Sequence, residues 1–246
     1  MMIGERHHRI LEELNQNPQI TVRELARILH VSEPTVRRDF TELHQKGIIT
    51  KRYGGAILNQ GAPDREIPFF LRENEKSSVK AEIGRKAAEL VQDGMVVMLD
   101  ASTSAYHLVP YLAKRKDLIV ITSGAKTATA LAEANIRTFC TGGQMLIHSF
   151  SYVGEQAEQF VRQINADILF FSVAGVGYDG QMSDRAIEEA NLRKVMFGSC
   201  QKKILLCDSS KFGKTCFYNM GNIRDLDGII SEGPLPTQIQ DLLPHS

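Results

Sequence analysis

Three consecutive hydroxyl side chains, Ser102, Thr103 and Ser104, follow Asp100 and Ala101 directly after the apolar run Met95–Leu99. An apolar run that stops at small polar residues reads as a strand whose end opens a helix. Backbone amides at such a helix start, joined by hydroxyls, make a phosphate cradle, and Asp100 can accept from a sugar hydroxyl. The competing reading is a capped helix start with no ligand. Thr122-Ser123-Gly124-Ala125 and Cys140-Thr141-Gly142-Gly143-Gln144 end two further strand-like runs, which brings Thr122, Gly142 and Gly143 to the same sheet edge. Glu188 and Glu189 fall in a helical stretch. Asp208-Ser209-Ser210-Lys211-Phe212-Gly213 follows another strand-like run, so Lys211 is the evident cation for a phosphate or a sugar oxyanion, with a solvated surface lysine as the alternative.

A second set of residues suits a different polyanion. Ser32 can cap a helix that begins Glu33-Pro34-Thr35, with proline in the first turn where its missing N–H costs nothing. Val36, Phe40 and Leu43 recur at i, i+4 and i+7 as a core stripe, which leaves Thr35, Arg37, Arg38 and Thr41 off it. Arginine binds a guanine edge or a phosphate, and Thr35 suits a phosphate or a thymine methyl. Asp39 is expected to orient an arginine or cap its own helix rather than touch DNA.

These side chains need elements to hold them. Glu5–Gln16 reads as a first helix with Ile10, Leu11 and Leu14 on one face, and Thr21 with Glu24 forms a capping box for a second helix running to about His30. Gly47 ends the third helix, and Ile48–Ile57 reads as a glycine-tipped hairpin that presents Lys51, Arg52 and Tyr53 as a wing. Two helices joined by a short turn, the second capped and cationic, form a helix-turn-helix pattern; a protein-interaction module with a charged face is the bland alternative. Arg37, Arg38, Lys46, Lys51 and Arg52 are offset by Glu33, Asp39 and Glu42, so one module is expected to bind weakly and to need a dimer or larger assembly.

Asn59–Asp64 breaks regularity and Pro68 stops a helix from running through, so residues 58–76 read as a linker docked through Phe69, Phe70 and Leu71. From 77 on, strand-like runs (Met95–Leu99, Leu118–Thr122, Ile136–Cys140, Asp167–Val173, Lys203–Cys207, Gly228–Ile230) alternate with helical patterns. The helices are expected at Lys80–Val91, Thr103–Ala113, Lys126–Ala134, Glu155–Ile164, Arg185–Phe197 and Thr237–Leu243. That alternation predicts a doubly wound, mostly parallel α/β domain over 77–246, behind a winged helix-turn-helix over 1–57.

Residues 6–57, with Ser32-x-Pro34-Thr35-x-Arg37-Arg38-Asp39, Leu43, Gly47 and Arg52-Tyr53-Gly54-Gly55-Ala56, resemble the DeoR/GlpR family of bacterial sugar-metabolism regulators. Tyr53 departs from the histidine usual in that wing. Leu99–Ser104, Thr141-Gly142-Gly143, Glu189-Ala190 and Asp208–Gly213 resemble the family's effector domain, itself similar to ribose-5-phosphate isomerase. The resemblance implies that Asp100, Ser102, Thr103, Ser104, Glu189 and Lys211 surround a phosphosugar. It further implies a repressor that binds double-stranded operator DNA as a homo-oligomer, dimer or tetramer, with no cofactor. Two departures stand out: Ala101, where serine or glycine is common, and Phe171–Gly175, where many relatives carry an acidic residue.

Two rivals share the second half. Gly175-Val176-Gly177-Tyr178-Asp179-Gly180 is a literal G-x-G-x-x-G after a strand, the mark of an NAD(H)-responsive regulator. Against it, the next helix is expected only at Asp184 or Arg185, Asp208 lies too far on, and two strand–helix units precede it. A ligand-facing loop at Gly175, or a plain turn, is the preferred reading. An active sugar-phosphate isomerase would use Glu189 and Lys211, but Ala174 leaves out an acid.

Composition bounds the rest. The 246 residues are 43% hydrophobic and 24% charged with zero formal net charge, so any nucleic-acid affinity comes from a local patch. No apolar stretch reaches the roughly 18 residues that suit a membrane span, and a cytoplasmic protein is expected. Cys140, Cys200, Cys207 and Cys216 form no C-x-x-C pair and read as buried reduced thiols. His7 and His8 splay apart on a helix, so no metal site is expected and solvated histidines are the default.

Overall fold

The computed structural model describes residues 3–45, 48–58 and 68–243, and the chain divides into two compact units, Met1–Ala62 and Pro63–Ser246. In the first, α1 (Ile3–Gln16), α2 (Val22–Ile28) and α3 (Glu33–Gln45) precede the hairpin β1 (Ile49–Arg52) and β2 (Gly55–Leu58). Ile10, Leu11 and Leu14 of α1, Leu25 of α2, and Val36, Phe40 and Leu43 of α3 are all buried, so the helical stripes meet in one core. Thr21 and Glu24 close the expected reciprocal cap: Thr21 N donates to the Glu24 carboxylate at 2.8 Å, and Glu24 N to Thr21 Oγ1 at 3.2 Å. Helix α2 stops at Ile28, short of the expected end, because His30 takes a left-handed φ of +53° that turns the chain toward α3. Arg52 pairs with Gly55 around the two-residue turn Tyr53-Gly54, where Gly54 adopts φ +79°. A Cβ on Gly55 would stand 2.9 Å from the Ile20 carbonyl oxygen, so the wing is seated directly on the start of α2. Lys46, Gly47 and the expected break at Asn59–Asp64 lie outside the described residues.

The second unit opens with α4 (Phe69–Asn74) and α5 (Ser77–Ala88). Then come β3 (Val96–Leu99), α6 (Thr103–Tyr106), α7 (Val109–Leu112), β4 (Ile119–Thr122), α8 (Ala125–Glu133) and β5 (Arg137–Cys140). A hairpin, β6 (Gln144–Leu146) and β7 (Ser151–Val153), leads to α9 (Glu155–Arg162), β8 (Ala166–Phe171), β9 (Gly175–Val176) and β10 (Gln181–Asp184). The unit closes with α10 (Ile187–Phe197), β11 (Cys200–Leu206), β12 (Tyr218–Asn222), β13 (Gly228–Ile230) and α11 (Thr237–Gln240).

Six strands pair in the order β13-β11-β8-β3-β4-β5, all parallel. Both faces are apolar, as strands covered on each side require. Val97, Leu99, Phe170 and Leu206 face Ile83 of α5, Leu112 of α7 and Leu131 of α8. Met98, Leu169, Phe171 and Leu205 face Val161 of α9 and Met196 of α10. Numbered along the chain, these strands run 6-5-4-1-2-3, the doubly wound order whose direction reverses between β3 and β8. Carboxyl ends part at such a reversal and leave a crevice there.

Several expectations needed correction. The single helix expected over Thr103–Ala113 is two short ones, because Pro110 has no N–H for the Tyr106 carbonyl and its ring crowds that turn. The stretch expected as a linker contains α4, and Phe69 is buried edge-on against Tyr106 and Phe150. The antiparallel set β9-β10-β12 escaped the sequence reading because its strands are short and polar. Of the cysteines only Cys207 is buried; Cys140 is exposed on β5, the edge of the sheet. Among the described residues no helix is long and apolar enough to cross a membrane.

Candidate functional site

In the first unit the groove-reading candidates gather on α3 and the wing. The Ser32 and Thr35 hydroxyls lie 2.9 Å apart, and Ser32 Oγ accepts from Thr35 N at 3.4 Å, capping α3. Arg37 and Arg38 are exposed, Arg37 standing 3.5 Å from Glu33 one turn back, a solvent-screened pair of little energetic weight. Thr41 Oγ1 donates to the Arg37 carbonyl at 2.9 Å and accepts from Lys51 Nζ at 2.7 Å, so the wing touches the helix. Arg52 and Tyr53 are exposed at the hairpin tip, Tyr53 fully so.

Asp39 points the other way. It is 1% exposed, and the arginine it orients belongs to α1: Arg6 Nε and Nη2 donate to its two oxygens at 2.6 and 2.8 Å. The hydrogen bond to Asp39 raises the Arg6 pKa. His7, expected to be solvated, is buried with Nε2 3.1 Å from the same carboxylate. Sequence spacing could not show this, since α1 and α3 meet only in the folded unit.

In the second unit a cleft of about 150 Å³ opens at the strand reversal. Ser102 and Thr103 from the end of β3, Ser172 and Ala174 beyond β8, and Asp208, Ser210 and Lys211 beyond β11 line it. So do Arg72, Lys76 and Lys80, from the stretch upstream of β3, and Asp184, Arg185, Glu189, Arg193 and Lys214. Seven of the described lining residues are cations and four are carboxylates.

Lys211 Nζ donates to Ser172 Oγ at 2.7 Å and lies 3.9 Å from Asp208. Lys76, in a left-handed conformation with φ +56°, donates to Asp208 Oδ1 at 3.0 Å. Burial alone would raise the Asp208 carboxyl, but the Lys211 charge and hydrogen bonds from Ser210 and Lys76 override it and bring it to about 2. Lys80 donates to the carbonyls of Arg72 and Glu75. Burial, and next the Lys211 charge, lower the Lys80 pKa to about 8.

Asp100 lies beneath this surface. Its Oδ1 accepts from Ser102 N at 3.0 Å, and its Oδ2 from Ser172 N at 3.1 Å and Arg193 Nε at 2.8 Å, stitching β3 to β8 across the crevice. Arg193 also donates to Asp184 Oδ2 at 2.5 Å and Glu189 Oε2 at 3.0 Å. Burial opposes the Arg193 charge, but the three carboxylates outweigh it and raise the pKa. Ser102 Oγ caps α6 by accepting from Ala105 N at 3.1 Å. Ser104 Oγ is buried with no partner among the described residues.

The expected site is thus only partly assembled in one place. Ser102, Thr103, Glu189 and Lys211 share the cleft, whereas Asp100 and Ser104 are buried and do not line it. Thr122, Gly142 and Gly143 stand at the ends of β4 and β5, on the far side of β3 from the reversal, and do not line it either. Thr122 Oγ1 instead accepts from Gly124 N at 3.0 Å. Gly175 backs the wall, where an added Cβ would stand 2.5 Å from the Lys214 carbonyl oxygen. Lys76, Lys80, Arg185 and Arg193 were missed; the signal available was cations placed before the first strand of the sheet and before and within the Glu189 helix.

The literal G-x-G-x-x-G is the turn of an antiparallel hairpin: Gly175 and Val176 pair with Ser183 and Met182, and Gly180 takes φ +84°. No helix starts at its third glycine, so the dinucleotide geometry is absent from this segment.

Residues 6–62 match the family description "DeoR-like helix-turn-helix domain" and residues 75–233 match "DeoR C terminal sensor domain". The chain is 33% identical to the HTH-type transcriptional regulator GolR of Listeria innocua, over 94% of this chain and 91% of that one. It is 26% identical to the glycerol-3-phosphate regulon repressor of Escherichia coli K12, over 97% and 94%. Ribose 5-phosphate isomerase A of Methanocaldococcus jannaschii overlays with a TM-score of 0.43 at 16% identity, over 55% of this chain and 54% of that one. With a winged helix-turn-helix ahead of a doubly wound sensor unit, and family matches over both, the chain belongs to the DeoR family of DNA-binding transcription regulators.

Proposed function

We propose that this regulator represses a carbohydrate-metabolism operon from the cytoplasm and that a phosphorylated sugar, held in the cleft at the strand reversal, controls its grip on the operator. The observation that carries the reading is the convergence of Lys76, Lys80 and Lys211 on a crevice that also offers hydroxyls and carboxylates. Ammonium groups hold a phosphate, and Ser102, Thr103 and Glu189 meet the hydroxylated part. Asp100 acts one step removed, fixing Ser102 and Ser172. A relative named for a glycerol-3-phosphate regulon fits a phosphate ester as the class of ligand.

The regulator works as a homo-oligomer, because one module's cations are nearly offset by its acids and paired half-sites multiply a weak grip. The ligand need only favour one DNA-binding state; a coupling of about 1–3 kcal/mol changes operator affinity roughly 5–150-fold. Helix α4 and Lys76 follow the division between the units closely in sequence. No cofactor takes part, and the sugar is bound without turnover.

The test is a thermal-shift and gel-shift series on the full chain. A phosphosugar that raises the unfolding temperature also alters retention of the protein's own promoter fragment, and is recovered unchanged. Failure of every sugar phosphate to shift unfolding, or stabilisation by NADH instead, overturns the reading.

A further inference from the structure

The six-stranded sheet ends at β5, and the outer side of that strand is bare. Thr141 N donates to the Thr122 carbonyl at 3.1 Å. Backbone groups alternate from side to side along a strand, so Arg137 and Phe139 also turn theirs toward β4. Thr138 and Cys140 turn theirs outward, where no described strand follows. Such an edge invites another chain unless charge, proline, a bulge or a covering segment blunts it.

The other edges of the three- and six-stranded sheets are blunted. Strand β13 has three residues, Asp227 precedes it, and Lys86 Nζ donates to the Ser231 and Glu232 carbonyls just beyond it at 2.9 Å. Strand β12 is bulged at Met220, and β9 is covered by Phe212, which bridges to Val176. Strand β5 has no such protection. Its register with β4 is unbroken from Arg137 to Cys140, and it contains no proline. Its one charge, Arg137, is its first residue and lies 5.5 Å over the ring of its own Phe139.

Phe139 pairs with Ile121, which is 1% exposed in the core, yet Phe139 itself is 40% exposed. The apolar face that carries Ile121 therefore runs uncovered to the edge.

A second β5 fits this edge. Antiparallel pairing matches outward residues with outward residues, so Thr138 of each copy faces Cys140 of the other. The two Phe139 side chains then meet on the two-fold axis at a non-hydrogen-bonded position, where cross-strand side chains come closest. Arg137 faces Thr141, so no like charges are opposed. Helix α8, on the Thr138 face, carries two charges, both exposed: Lys126 near its start and Glu133 at its end. The axis runs a second α8 antiparallel to the first, so helices brought alongside meet opposite charges at both ends.

We propose that β5 pairs antiparallel with β5 of a second copy, with the two-fold axis at Phe139, joining two sensor units into one continuous sheet. The inference rests on the homo-oligomer reading above and names its interface.

The test measures the size of the full chain by sedimentation velocity across a concentration series. Phe139→Lys sets two ammonium groups against each other at the axis and weakens this contact about a hundredfold, which halves the mass of the particle. A second pair of variants reads the register. Phe139→Cys in a Cys140→Ser background closes a disulfide between chains under mild oxidant, because that pair of Cα atoms lies about 4.5 Å apart. Arg137→Cys in the same background gives none, since its counterpart lies well beyond disulfide reach.

A particle of unchanged mass in Phe139→Lys overturns the proposal. So does an oligomer in which Phe139→Cys fails to cross-link, or in which Arg137→Cys cross-links instead. If the unsubstituted chain is a monomer at every concentration, the homo-oligomer reading fails and takes this one with it; an oligomer indifferent to Phe139 sinks this one alone.

Discussion

Arg6 and Asp39 join α1 to the DNA-reading helix through a two-pronged ion pair, at 2.6 and 2.8 Å, with Asp39 almost wholly buried. The carboxylate sits beside Arg38 yet presents no charge to a groove. Removing the guanidinium breaks the two-pronged pair and leaves the buried carboxylate with His7 alone; breaking a buried pair typically costs about 3–5 kcal/mol, an upper bound with His7 still in place. Arg6→Ala therefore lowers the stability of the first unit by up to that order, read by denaturant unfolding, and weakens operator binding. The double substitution Arg6→Met with Asp39→Met recovers much of the stability, because no lone charge is left behind.

Arg37 and Lys211 separate the two halves of the molecule. Arg37→Ala abolishes specific retention of promoter DNA in a gel, yet keeps the thermal shift given by a phosphosugar. Lys211→Ala does the reverse. Loss of the same activity by both substitutions would show that the division of labour is wrong.

Lys80 sets a pH dependence for the cleft. Its pKa is lowered from 10.5 to about 8 by burial and the neighbouring Lys211 charge. A phosphate dianion prefers the protonated lysine, so phosphosugar affinity holds steady just below pH 8 and falls as pH rises past it, by up to about tenfold per unit. Calorimetry from pH 7 to 9.5 checks this, and Lys80→Met flattens the step. The stability contribution has the opposite sign: between pH 8 and 10.5 the unfolded chain holds a proton that the folded unit has lost, so relative stability rises with pH there.

Gly175 tests the cleft wall. A methyl there meets the Lys214 carbonyl at 2.5 Å, backbone that yields only by moving the strand or the loop. Gly175→Ala costs about 1–3 kcal/mol of stability and, because Lys214 lines the cleft, loosens phosphosugar binding as well. Unchanged melting and unchanged affinity would mean that the loop relaxes freely.

Much of this was legible in the residues. Apolar stripes at helical spacing placed α1 to α3, the Thr21–Glu24 box fixed the start of α2, and Ser102 and Lys211 marked two walls of the cleft. What stayed hidden depends on strand order. Thr122, Gly142 and Gly143 resemble Ser102 in being small or polar at strand ends, but the strand-end loops that line the crevice are those of β3, β8 and β11, not those of β4 and β5, and no local pattern encodes that order. Lys76 and Lys80 escaped because the stretch before them read as a connector. Arg6 and His7 escaped because their partner lies more than thirty residues away.

Arg193 gathers carboxylates from the end of β3, from β10 and from α10 into a single clamp. That side of the cleft is set before any metabolite arrives, and exchanging Arg193 alone would strand three buried carboxylates. Descendants of this protein that acquire a taste for a different sugar must therefore change on the opposite bank, among the lysines contributed by α5 and by its leading residue Lys76. The carboxylate bank is inherited whole.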